Sequence, residues 1–419
     1  ILYALPMIFR AYYRAPVFHL IPIPWIDVSW LLQKAVPGIS FGLATDLVSY
    51  VTGFIVPFPA VVGMFIGSAA ISLVGNPLLL STFKDTRIHA WNMFAKEYEY
   101  GMSITDIWQR STLYIWSGPI IGITLAAGLM PIILRPEVIR NTFSTLRRAR
   151  EEGGGFNLWI ILAPYLAMTL VLSALDYYLA PDFPILFYVL LNTAWPFLYM
   201  LAVVRGEATA IGFSIPYVRE MTILGSGYQG IAAWFAPIYV PVPWSAALAV
   251  CDMTDTKPLS YVKLMAILYP VAFVFGFVYV QSFWNMAPIP SAMFPGTQIY
   301  WPVQAIYQTI FIGGPEIMRP IWIAGGAAVL AVLYPILYRL GWAAATIGLA
   351  AGVASPIPNM ASMLIGAVVG KIIQRFMGVE NFNKYRAIII AGVALGTGLA
   401  VGLGSAISII ITTMWIAPY

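Results

Sequence analysis

Leu264 to Val280 is an apolar run without a charged residue, long enough with its flanks to cross the hydrocarbon core of a bilayer as one helix. No charged surface loop follows it. Gln281 to Gln308 sets Pro288, Pro290, Pro295 and Pro302 among Asn, Ser, Thr, Gln and aromatic side chains. Proline removes backbone donors and interrupts helices. In lipid, an interrupted backbone persists only where protein covers it or where it lines a watery cavity. Residues 281–308 are therefore expected to form a broken segment bordering an internal passage.

Composition extends this reading to the whole chain. Of the 419 residues 60% are hydrophobic and 9% are charged, against about 25% charged in a soluble domain. The expected fold is an all-α integral membrane protein, a polytopic helical bundle. At about 20 residues per span, its length allows about ten to twelve spanning or re-entrant helices, several broken by Pro or Gly. Lys and Arg outnumber Asp and Glu by 22 to 17, a bias that suits cytoplasmic loops. No basic cluster sits on a soluble module, so nucleic acid is not an expected partner.

The single cysteine, Cys251, excludes an internal disulfide, and with only His19 and His89 beside it no Cys/His metal cluster is available. No resident metal or cofactor is expected. No Ser-His-Asp set or paired carboxylates stand at usable spacing, so an enzyme is not expected either. The chain begins with Ile1 and shows no signal-peptide pattern, which reads as a start partway into a longer protein.

The reading treats 1–419 as one polytopic membrane domain. Residues 1–40, rich in aromatics and proline, read as an interfacial segment or the remnant of a missing span. Phe41 to Leu80 is apolar, is broken at Pro57 and Pro59, and is expected to end at Gly75-Asn76-Pro77. Residues 81–109 are the longest polar interval and read as an amphipathic surface segment. Trp108 to Leu134 is a span, and 135–155, with five arginines and Gly153-Gly154-Gly155, is a cytoplasmic loop. Leu158–Ala180 and Phe183–Val204 form a hairpin turned at Ala180-Pro181-Asp182. The glycines from Gly392 to Gly404 in the last apolar run are expected to make a tight helix contact.

An ionisable group inside a span is costly and marks a site to weigh. Asp46, within the first apolar region, is a candidate carrier of a coupling proton or, more plainly, the cap of a short helix. Glu207, after Arg205-Gly206, is the second proton-coupling candidate. Asp176, beside Tyr177 and Tyr178 near a helix end, reads as an interfacial anchor. In the broken segment Asn285, Ser291, Thr297, Gln298 and Gln304 offer neutral hydrogen-bonding groups, and Tyr300 and Tyr307 supply walls. Such groups suit a peptide backbone or a chelator, whose polar atoms must be rebonded once water is stripped away.

Pro290-Ser291-Ala292-Met293 through Ile299-Tyr300-Trp301-Pro302-Val303-Gln304-Ala305 resembles the oligopeptide transporter family, which includes the yellow stripe-like branch. Gly348 to Pro358, Gly378-Val379-Glu380, Lys384-Tyr385-Arg386 and the small-residue helix after Ile388 continue the likeness. So do Gly42 to Pro77 and Glu207 to Tyr228, the latter with Gly212-Phe213-Ser214-Ile215-Pro216 and Gly225-Ser226-Gly227-Tyr228. The resemblance implies secondary active transport of oligopeptides or metal-chelate solutes across the cell membrane, driven by protons. Expected partners are the lipid bilayer, such a solute, protons, and a second copy or another membrane subunit. The alternative is a non-transporting structural or accessory subunit with a transporter-like fold.

Overall fold

The computed structural model describes residues 22, 24–82, 88–134, 158–200, 214–235, 247, 251, 255–289, 291, 297 and 319–415. A short antiparallel ribbon, β1 (Trp25–Asp27) and β2 (Gly42–Ala44), pairs Ile26 with Leu43. It is followed by α1 (Leu47–Thr52), α2 (Phe58–Ala69), α3 (Asn76–Ser81), α4 (His89–Glu97), α5 (Ile104–Ser111) and α6 (Ser117–Leu134). Next come α7 (Leu158–Leu179), α8 (Ile185–Val189), α9 (Val218–Gly225) and α10 (Pro258–Met286). The chain continues with α11 (Pro320–Arg339), α12 (Ala343–Val353), α13 (Ile357–Met377) and α14 (Val379–Trp415). Two compact units result: Ile1–Met130 with Thr209–Ser214 and Pro320–Tyr419, and Pro131–Ala208 with Ile215–Arg319.

Among the described residues seven helices are long and apolar enough to cross a membrane: Phe58–Ser81, Ile104–Pro131, Leu162–Leu179, Leu259–Met286, Pro320–Arg339, Ile357–Met377 and Val379–Gly404. Ile185–Met200 and Ala343–Val353 are shorter apolar helices. The membrane character is plainest in α10, which presents Phe273, Phe277, Val278 and Tyr279 outward. A long helix that is apolar on every side is at home in lipid.

The first unit is organised by two interrupted helix pairs. Pro57 stands at the N-cap of α2 and Pro59 in its first turn; Pro356 and Pro358 do the same for α13. Proline fits a first turn, where its missing N–H has no partner to lose. The breaks put a repeat in view. Gly53, Pro57, Pro59, Met64, Ile66 and Gly67 recur at constant offset as Gly352, Pro356, Pro358, Met363, Ile365 and Gly366.

Contacts between the copies are reciprocal. Gly53 lies against the Met363 carbonyl and Gly352 against that of Met64. Gly67 meets the Leu349 carbonyl and Gly366 that of Tyr50. Contacts in which i meets j while j's counterpart meets i's define a two-fold relation. In this unit α12 packs on α2 and α13 on α1, backbone against backbone. Gly122 and Gly326 join α6 to α11 in the same manner, through the Ile323 and Pro119 carbonyls.

Several boundaries differ from expectation for local reasons. The helix does not end at Gly75-Asn76-Pro77. A π-helical turn, Ala70–Gly75, carries it into α3 and places Pro77 in a first turn. The span expected from Trp108 starts at Ile104, capped by Ser103, whose Oγ accepts from the Asp106 N–H. Within the polar interval α4 buries Phe94 against Leu79, Leu80, Ile107 and Ile115. The broken segment begins later than Gln281: Gln281–Met286 complete α10, and Ala287, extended ahead of Pro288, ends it. The tight glycine contact expected on α14 is not there; Gly392, Gly396, Gly398 and Gly402 face open space among the described residues. Close glycine packing belongs to the repeat instead.

Replacing Gly348 by Val puts a side chain into the Ala60 carbonyl. It should destabilise the detergent-solubilised protein by about 1–3 kcal/mol, the usual cost of overpacking. Gly396→Ala should leave thermal unfolding unchanged, and equal melting temperatures for the two variants would refute the packing account.

Candidate functional site

Within the second unit, α7 carries Tyr165, Thr169, Ser173 and Asp176 at helical spacing, so the four lie on one face of an otherwise apolar helix. The facing helix of the hairpin, α8, runs into a π-helical turn, Leu190–Ala194. That turn directs Asn192 and Thr193 at the polar face of α7. Residues of π turns are frequently functional, because the turn re-aims a side chain that a regular helix would point elsewhere.

The groups form a continuous ladder. The Tyr165 hydroxyl donates to the Thr193 carbonyl at 2.6 Å, and the Thr193 hydroxyl donates to Thr169 Oγ1 at 3.0 Å. Ser173 Oγ donates to the Thr169 carbonyl at 2.8 Å. Asn192 Nδ2 lies 3.4 Å from Ser173 Oγ and donates to Asp176 Oδ2 at 2.7 Å. Asp176, Asn192 and Ser173 are buried, with Asp176 at 0% exposure. Asp176 Oδ1 has no hydrogen-bond partner among the described residues. Tyr188, buried beside it, uses its hydroxyl on the Ala180 carbonyl at 3.4 Å.

A buried carboxylate with one neutral donor and one bare oxygen is not a stable ion-pair device. Without water or a cation, a free carboxylate oxygen is costly, and a proton on it removes most of that cost. The arrangement can take up and release one proton, and Asn192 holds the carboxyl in place in either state.

Beyond the hairpin turn, the Tyr228 hydroxyl donates to Asp182 Oδ2 at 2.5 Å and accepts from the Ala233 N–H at 3.4 Å. Burial first, and the Asp182 carboxylate second, hold the Tyr228 hydroxyl above its ordinary pKa.

Asp46 is the N-cap of α1; its Oδ2 accepts from the Ser49 N–H and from Ser49 Oγ, both at 2.8 Å. Asn285 lies exposed on α10 and accepts from Gln281 Nε2 at 3.1 Å. Ser291 is half-buried, and its Oγ has no partner among the described residues; Thr297 is half-buried too. A recess of about 320 Å³ opens beside Trp284, Ala287, Pro288 and Ile289, where the broken segment begins. Glu207, Gln298, Tyr300, Gln304 and Tyr307 lie outside the described residues. Among the described residues no three His, Cys, Asp or Glu side chains come together to hold a metal ion.

Sequence reasoning set Asp176 aside as an anchor. The signal that could have found it was the stripe Tyr165-Thr169-Ser173-Asp176, four polar residues on one face of a span. Comparison with protein families, with characterised proteins and with solved structures finds no match.

Asn192→Leu takes away the one donor to a buried carboxylate and should cost about 1–3 kcal/mol in denaturant unfolding of the purified protein. Asp176→Asn keeps the shape without the charge and should cost less. The reverse order would show that Asp176 is not held by Asn192.

Proposed function

We propose that the protein is a proton-coupled secondary transporter of oligopeptides or metal-chelate, peptide-like solutes. The observation that carries the coupling is Asp176, a fully buried carboxylate in an apolar hairpin with one oxygen unpaired among the described residues. Ionisable groups are rare inside spans, and those that persist there serve ion or proton movement. Asp46 is engaged in helix capping and Glu207 lies outside the described residues, and we assign the proton role to Asp176 on its burial.

The two-fold repeat of interrupted helices supports the same reading. Secondary carriers are commonly built from internal repeats whose broken helices rock against one another. The solute class rests on the resemblance and on the neutral polar chemistry of Asn285, Ser291 and Thr297 at the broken segment. Neutral donors and acceptors replace the water that a peptide or chelate gives up.

In proteoliposomes an inward proton gradient should drive accumulation of di- and tripeptides or of metal chelates, and dissipating the gradient should stop it. Asp176→Asn should reduce gradient-driven accumulation to background while preserving solute exchange at equal pH. Absence of gradient-dependent uptake across both solute classes would overturn the transporter reading. Wild-type accumulation by Asp176→Asn would overturn the assignment of the proton.

A further inference from the structure

The two breaks of the repeat are alike in backbone and differ in what fills them. At the second break, between α12 and α13, Ser68 Oγ donates to the Ser355 carbonyl at 2.7 Å. Ile71 packs there with Ile120 and Val353, and Trp116, Leu349 and Ala354 close over them. That break is sealed.

At the first break the repeat puts Ala367 where Ser68 stands, Gly370 where Ile71 stands and Lys371 where Ser72 stands. Ala367 has no hydroxyl for the Val56 carbonyl, and Gly370 has no side chain to fill the gap. The result is a cavity of about 120 Å³ lined by Gly53 to Phe58 and by Lys371, Gln374, Phe382 and Arg386. One water needs about 10–15 Å³ of such space, so the cavity holds far more than one.

Its polar lining is cationic. Lys371, Gln374 and Arg386 make no hydrogen bond or ion pair to a described residue. Lys371 lies near the end of α13 and Arg386 near the start of α14, beside the Gly378 turn that joins them. Two positive side chains facing one small cavity repel each other. At the edge of two membrane-spanning helices they also need a counter-charge. A guanidinium, an ammonium and an amide donor converging on one space match a tetrahedral oxyanion, with Arg able to bind two of its oxygens at once.

We propose that the cavity at the α1–α2 break binds a phosphate group through Lys371, Gln374 and Arg386. The phosphate belongs either to a lipid headgroup or to a soluble phosphate. Basic pockets at helix ends take headgroups in this way, and an open cavity of this size also admits the free anion. The sealed second break serves as the internal comparison: one backbone arrangement, with Gly370 and Lys371 at the open break where the sealed one has Ile71 and Ser72.

The test uses the full chain in detergent and in nanodiscs. Calorimetric titration with inorganic phosphate, in delipidated protein, reads the soluble source. Native mass spectrometry with phosphatidylglycerol against phosphatidylcholine reads the headgroup source. Saturable binding in either arm is expected, and it should weaken about tenfold or more in Lys371→Gln and in Arg386→Gln, the effect of one charge-assisted hydrogen bond. Gly370→Ile, which restores the residue of the sealed copy, should abolish binding with both cations in place. Lys263→Gln, on α10, should change nothing. If Gly370→Ile fails to fold, the two Gln variants, which keep the length of the side chain, still decide. No saturable binding of either probe would overturn the proposal, as would undiminished binding by the Gln variants.

Discussion

Backbone approaching backbone is the condition on which the first unit rests. At four points of the repeat, Gly53, Gly67, Gly352 and Gly366, a helix lies so near the carbonyl of its counterpart that a Cβ would collide. In lipid there is little hydrophobic drive between helices, so van der Waals fit of this kind supplies the cohesion. The prolines work with the glycines. Pro57 and Pro356 set the residue of the break extended and start the next helix, leaving short first halves, α1 and α12, free to lean on the second halves of the other copy. Ribbon β1–β2 is tied to the same centre, because the Ala44 N–H donates to Ser362 Oγ and Trp25 Nε1 to Asn359 Oδ1.

Much of this was legible in the sequence, though unevenly. Hydropathy and the Ala180-Pro181-Asp182 turn located the α7–α8 hairpin, because both signals act within a few residues. Pro57, Pro59 and Pro288 marked real interruptions for the same reason. The glycines misled. Gly392 to Gly402 have the denser pattern and make no close contact among the described residues, whereas the sparser Gly53, Gly63 and Gly67 do. A glycine permits close approach without saying what approaches. That depends on a partner nearly three hundred residues away, and the repeat that names the partner is short and embedded in unlike sequence.

The π-helical turns were the second illegible element. Each of the three among the described residues, at Ala70–Gly75, Thr112–Trp116 and Leu190–Ala194, adds a residue to a turn without a local sequence mark. They are kept by what they place: Asn76 and Trp116 meet across 2.7 Å, and Asn192 reaches Asp176. A periodicity of 3.6 carried through such a turn assigns later side chains to the wrong face, so the approach of Asn192 to Asp176 was not legible from the sequence.

The networks of Asn76 and Asn192 end differently. Asn76 is buried with its acceptor filled by Trp116 Nε1 and its amide donating to Ser111 Oγ at 3.2 Å. Asp27 is likewise closed: Oδ1 accepts from the Ser29 N–H and Oδ2 from the Ile104 N–H, both at 2.8 Å. Gln33, too, takes Tyr98 and Gly101 on its oxygen and gives its amide to the Met102 carbonyl. Each of these networks ends with its atoms paired, and its job is to fix the fold. The Asn192 network instead ends on Asp176 Oδ1, buried and without a partner among the described residues. Packing gains nothing from that oxygen. Glu220, the other buried carboxylate among the described residues, is paired with Arg219 at 2.7 Å, whereas Asp176 Oδ1 has no such partner among them, and it is this difference on which the proposed proton role rests.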